Sequence, residues 1–289
     1  MSVETKQDIF ERYVISITAL ICTGALVFLA LMGPLGLELI EHRTSQSAIY
    51  QTQGQDLINL LLLAPLCFIG GILHLQKKGS SKYFLILVGV YIFLYTGLAY
   101  GIGQEWTMYP GNVETFFWVF LVLIIGGLIL LIGSLSMFTE DDAPDFNVKN
   151  LRIYIILMVI FLLIFSLMWF QEIIEVVLTG DTSTGSYQES PNVFWVIRYF
   201  DLGITLPLGF IGLYLLGTRP KQAYPIMLAF YGFFVTLSSA VVAMAIVMVL
   251  SGDPMVQPEG LIIFPILAIL AWFGLFYLIK PKLPWFNKS

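Results

Sequence analysis

The chain has 289 residues, of which 58% are hydrophobic and 11% charged, with a net charge of −5. That balance is too apolar for a soluble domain and marks a polytopic membrane protein. It holds no basic stripe with interleaved aromatics, which excludes nucleic acid as a partner, and its two cysteines, Cys22 and Cys67, are too few for a disulfide framework.

A bilayer core takes roughly 20 apolar helical residues to cross. Eight stretches reach that length, and spans are predicted over 13–40, 56–76, 82–104, 113–138, 151–177, 193–217, 222–250 and 260–280. Each is continuously apolar rather than alternating over about ten residues, so helices are expected and not barrel strands. The expected fold class is therefore all-α, a polytopic membrane helical bundle. Ahead of the first span, Glu4, Asp8 and Glu11 mix with Lys6 and Arg12, and no small-residue cleavage site follows. That span is read as retained rather than as a signal peptide.

Cytoplasmic loops keep lysine and arginine during insertion. In an eight-span arrangement one side collects Lys6, Arg12, Lys77, Lys78, Lys82, Lys149, Arg152, Arg219, Lys221, Lys280, Lys282 and Lys288, twelve of the fourteen basic residues. The alternate loops hold only Arg43, and Arg198 falls inside the sixth span. Both termini are accordingly expected in the cytoplasm of a cell with this protein in its plasma membrane, among membrane lipids. Acidic residues show the opposite bias, toward the outer face, where they concentrate cations or simply solvate the loops.

The chain also repeats itself. Glu38-Leu39-Ile40-Glu41, Asp56-Leu57, Pro65 to Gly70 and Tyr83 recur in order as Glu172-Ile173-Ile174-Glu175, Asp201-Leu202, Pro207 to Gly212 and Tyr224. Such an echo predicts two four-helix repeats, 1–139 and 151–289, joined by an acidic linker over 140–150. A repeat with an even number of spans re-enters from the same side, so the two halves are expected to be parallel about an axis along the membrane normal. The register slips once: nine residues separate Asp56 from Pro65, but six separate Asp201 from Pro207.

On Gly54-Gln55-Asp56-Leu57, on Tyr91-Ile92-Phe93-Leu94-Tyr95-Thr96, and on Asn192 followed by Asp201-Leu202 and Pro207, the chain resembles an uncharacterised family of prokaryotic membrane proteins with about eight helices. The resemblance covers spans two, three, five and six best. It implies the multi-span fold and carries no activity.

The candidate site residues are carboxylates with one arginine. Glu38 with Glu41, and Glu172 with Glu175, are three apart, which on a helix puts both acids on one side within reach of a shared cation. Asp56 and Asp201 from the following spans complete two sets of oxygen ligands suited to a hard cation, with the metal itself unknown. The alternative is that the glutamates only mark helix ends in the headgroup layer. Counting from Asn192 at about 1.5 Å per residue puts Asp201 roughly 14 Å deep, where a charge needs a partner or a water-filled cavity. Arg198, one turn earlier, is the expected partner, either to neutralise Asp201 or to tune it as a proton or cation acceptor. Pro65 and Pro207 interrupt their helices and free backbone carbonyls. Tyr95, Tyr100, Trp106, Trp169 and Trp195 are read as an aromatic belt, some of them lining a pocket.

No lysine lies centrally in a span, His42 and His74 fall on opposite sides, and no nucleotide or nucleophile-elbow motif occurs. No catalytic residue and no cofactor is assigned. The function expected is a transporter or binding protein for a cation or small solute, using an outward-facing cavity lined by these carboxylates. A scaffold, sensor or non-catalytic subunit of a membrane assembly is the first alternative, and an intramembrane enzyme acting on a lipid or isoprenoid by carboxylate acid-base chemistry is the second; the partners expected besides lipids are a homo-oligomer's second copy or another membrane protein.

Overall fold

The computed structural model describes residues 6–183 and 185–282; Glu4 and Lys288 of the charge pattern lie outside them. Eight helices are long and apolar enough to cross a membrane. They are α1 (Lys6–Met32), α2 (Gln46–Leu75), α3 (Ser81–Ile102), α4 (Val113–Ser136), α5 (Val148–Thr179), α6 (Pro191–Thr218), α7 (Pro220–Leu250) and α8 (Gly260–Ile279). A short helix, Gly185–Glu189, precedes α6, and among the described residues there is no strand.

Three boundaries differ from expectation by seven residues or more, and one is the start of α1, at Lys6 rather than at residue 13. The first span ends at Met32 rather than at residue 40, because Gly33-Pro34 turns the chain out of the helix. Apolar Leu35, Leu37 and Leu39 continue beyond it as exposed loop residues. The second span begins ten residues earlier than predicted, where Ser45 accepts a hydrogen bond from the Ala48 N–H at 3.2 Å and so caps α2. Asparagine does the same for α5, with Asn147 accepting from Lys149 and Asn150, and Gly180 ends that helix at φ 69°. In the expected linker, Glu140–Asp142 form a single 3₁₀ turn.

The loops tie the bundle at both ends. At the acidic end, Arg43 forks onto Glu114, its Nε 3.1 Å and its Nη2 2.5 Å from the two carboxylate oxygens, and its own N–H donates to Gln104. Glu105 receives the Asn192 and Val193 N–H groups at 2.9 and 3.1 Å. That carboxylate therefore caps the start of α6, where exposed N–H groups and the helix dipole favour negative charge. At the opposite, basic end, Lys82 donates to Asp142 at 2.5 Å. Burial raises the Asp142 carboxyl, but the Lys82 and Thr139 donors outweigh it and leave it below its ordinary range.

Helices α1 to α4 form a closed group, each packed on its neighbours, with α1 also against α4. Helix α7 is the hub of the rest and packs on α2, α3, α6 and α8. Small residues permit the closest approaches: a methyl group on Gly54 of α2 would run into the Met244 backbone of α7, and one on Gly232 of α7 into the Leu87 backbone of α3. Helices α5 and α8 meet at the basic end, where the Tyr154 hydroxyl donates to the Gly274 carbonyl at 3.1 Å and the Tyr154 and Tyr277 rings stack 4.3 Å apart. Toward the acidic end both helices line a cavity.

Candidate functional site

That cavity, of about 390 Å³, is the centre of the candidate site. Its walls come from α2, α3, α5, α6, α7 and α8, and its rim from the loops at the acidic end. Phe165, Phe234, Leu237, Val241, Met244 and Phe264 make most of the interior apolar. Polar groups from four helices also line it: Gln55, Tyr95, Glu172, Arg198 and Asp201.

Local sequence explains why α6 can present Asp201. Proline lacks an N–H and its ring collides with the carbonyl four residues back, so the helix widens into a π turn over Asp201–Thr205 just ahead of Pro207. A second π turn, Asn59–Leu63, precedes Pro65 in the same way. A third, Ile92–Ala99 in α3, carries Tyr95 and Thr96. Such bulges turn side chains out of the helical register and are common at functional sites. Here each carries a buried polar residue: Asn59 and Asp201 are fully buried, as is Thr96.

Asp201 does not pair with Arg198 as the spacing predicts. Its two oxygens accept from the Tyr95 hydroxyl at 2.6 Å and from the Trp169 indole N–H at 2.9 Å. Arg198 instead forms its ion pair with Glu172 on α5. The reason is geometric: side chains on a helix lean toward its N-terminus, so the long guanidinium reaches back to the Phe194 carbonyl at 3.2 Å and away from Asp201. Its Cζ lies 3.6 Å from the Phe194 ring centre and 4.5 Å from that of Trp169. Cation–π contacts of this kind are strongest when desolvated.

The remaining predicted residues divide. Glu175 lies on the exposed side of α5 and does not line the cavity. Glu38 and Glu41 share no helix, being exposed loop residues beyond the early end of α1, with Glu38 in the left-handed region at φ 54°. Asp56 is not near the surface but ten residues into α2, about 15 Å deep. It is buried there, accepting from Asn59 and Tyr100 at 3.3 Å each, while the Thr96 hydroxyl donates to Asn59 at the same distance. The two expected sets of cation ligands therefore do not assemble, and among the described residues no three histidine, cysteine, aspartate or glutamate side chains gather as a metal site.

Four residues of the site were not singled out by their sequence pattern alone. The sequence marks Gln55 only within the Gly54–Leu57 motif, His42 only by its side of the membrane and Trp169 only as a belt residue, and gives Gln104 no role. A usable signal existed for Trp169, which sits three residues before Glu172 and so on the same face of α5. His42, buried at the rim, meets the Gln104 side-chain nitrogen at 3.1 Å, and that nitrogen also donates to the Tyr100 carbonyl.

Burial holds the His42 imidazole down to about 4, against an ordinary value of 6.5. The unfolded ring takes up its proton below about 6.5 while the folded one resists until near 4. Stability is therefore intact above 6.5 and falls by about 3 kcal/mol as the pH drops through that window. The thermal unfolding midpoint of the detergent-solubilised protein is expected to fall between pH 7 and 4.5, and His42→Asn to flatten that slope. An equal slope in the variant refutes the assignment.

No family model matches the chain, and no curated protein or solved structure matches it either, so the site stands on its own residues.

Proposed function

We propose that the protein binds a small solute in the cavity and carries it across the membrane, with Asp201, Arg198 and Glu172 as its working polar groups. The observation that carries this reading is convergence: side chains from α2, α3, α5 and α6 that are far apart in sequence line one space beside α7 and α8. Buried ionisable groups in a membrane span are costly and normally face a partner or a pathway. Asp201 has neutral donors on both oxygens and no ion pair of its own. It is thus the group whose charge an entering proton or cation changes most directly.

The same proposal orients the chain with its basic end and both termini in the cytoplasm, on the distribution of Lys77, Lys78, Lys149, Arg152, Arg219 and Lys221. It also takes the halves as a 4+4 repeat. The π turns support this, since each begins six residues before its proline; on that register the counterpart of Asp201 is Asn59 rather than Asp56. The two halves then differ where it matters, with a closed first bundle and a second bundle opened around the cavity.

Proteoliposomes loaded with a pH-sensitive dye test the reading. Sodium, potassium and a series of small amines and neutral solutes are added outside in turn. At least one is expected to drive a proton movement that Asp201→Asn lowers by tenfold or more, and a flux unchanged by that substitution overturns the role. Access is checked in parallel. Cys22 and Cys67 are buried, so a single Gln51→Cys reports labelling by a membrane-impermeant maleimide, expected only from the acidic end.

A further inference from the structure

Two residues that line the cavity each carry a buried hydrogen-bond donor that is left unmatched. Arg198 and Gln55 are each 6% exposed, both line the space, and the Arg198 Nε and the Gln55 Nε2 have no hydrogen-bond partner. Buried N–H groups are rarely left unpaired, and an oxygen brought to them gains what water cannot supply there. The Tyr91 hydroxyl beside Gln55 is likewise unmatched, whereas the charged groups are engaged. Both Asp201 oxygens are taken, and the terminal nitrogens of Arg198 serve the Phe194 carbonyl and Glu172.

Charge narrows the ligand further. One guanidinium faces two carboxylates, Glu172 and Asp201, so a second anion is repelled. A cation would meet the N–H groups at their positive ends. What these two donors accept is a neutral oxygen, and a carbonyl is the group that offers one without bringing a competing donor.

The rest of the space suits an apolar body. Phe165 and Met168 of α5, Leu261 and Phe264 of α8, and Val241 and Met244 of α7 all line it. Helices α5 and α8 both contribute to its wall, and Leu261 of α8 is 40% exposed.

We propose that this cavity takes up a neutral, carbonyl-headed amphiphile that enters from the membrane between α5 and α8, its carbonyl oxygen accepting from Arg198 Nε and Gln55 Nε2. The proposal rests on the cavity being the solute site and names the solute's chemical class. A quinone ring and a glyceride ester share that chemistry.

Binding is measured on the purified full chain with four tritiated probes: a short-chain benzoquinone, a monoacylglycerol, a fatty-acid anion and an alkyltrimethylammonium. At least one of the two neutral probes is expected to bind saturably and more tightly than either ion, and which of them does so identifies the source. Gln55→Leu and Arg198→Lys are each expected to weaken it about tenfold; the lysine keeps a cation for Glu172 but lacks the Nε–H. Val241→Trp, which adds bulk to the apolar lining, is expected to abolish binding. Size-exclusion profiles show that each variant is folded. Tighter binding of either ion, or neutral binding indifferent to Gln55→Leu and Arg198→Lys, overturns the proposal. If the ammonium probe binds and Asp201→Asn removes it, the neutral-head inference fails while the solute site stands. If no probe binds and Gln51→Cys resists the maleimide, both fail.

Discussion

Glu172→Leu is expected to destabilise the protein by about 3 kcal/mol, and adding Arg198→Leu in the same molecule to recover most of that loss. The side chain of Arg198 is only 7% exposed and that of Glu172 36%. Removing the glutamate strands a guanidinium among Phe194, Trp169 and other apolar neighbours, and breaking a buried pair from one side costs about 3–5 kcal/mol. The lower end applies because Asp201 remains near enough to attract the charge. Arg198→Leu alone is expected to cost less, since the half-exposed Glu172 can take water from the cavity. The double variant has no charge to strand and two extra apolar side chains to pack. A double-mutant cycle on the apparent unfolding midpoint reads the coupling directly. Single costs that simply add in the double variant would mean that the pair does not hold α5 to α6. A stable double variant that has also lost solute binding separates the structural role of the pair from its functional one.

The eight spans were legible because the bilayer demands continuous apolar length, and every predicted span has its helix. The errors arose where that single signal was ambiguous. After Gly33-Pro34 the residues stay apolar, so α1 read eight residues too long, and Glu38 and Glu41 were placed on a helix they do not share. Before Asp56, the glutamines at 51, 53 and 55 read as loop, although Ser45 supplies an N-cap and the polar side chains face the protein interior. That hid both the depth of Asp56 and the role of Gln55.

Asp201 was found by depth alone, since counting from the interface needs no tertiary knowledge. Its partners were not, because Tyr95 lies 106 residues away and Trp169 32 residues away. The local choice, Arg198 at one helical turn, lost to a longer reach that no spacing rule encodes. Aromatic residues assigned to a belt by composition turned out to divide. Trp106 stays exposed, while Trp169 and Tyr95 turn inward to hold the carboxylate.

Gly54→Leu is expected to have the largest effect of any single substitution, because the contact it breaks is between backbones. At Gly54 the α2 surface lies against the Met244 N and Cα and the Ala243 carbonyl carbon of α7, leaving no room for even one added carbon. Overpacking in a core that can relax costs typically 1–3 kcal/mol. Here the atoms in the way are main-chain atoms of the hub helix, which cannot rotate aside, so α2 must move away from α7 as a whole. Gly54→Ala is expected to lower the unfolding midpoint, and Gly54→Leu to leave little monodisperse protein at any temperature, both read by fluorescence size-exclusion after a heating series. Equal behaviour of alanine and wild type would show that the two helices have slack. The seam also frames the site, since α2 carries Gln55 one residue beyond Gly54 while Met244 itself lines the cavity. A tolerated Gly54→Ala protein should therefore bind its solute more weakly than its loss of stability explains, because separating the two helices moves a polar donor and an apolar wall together.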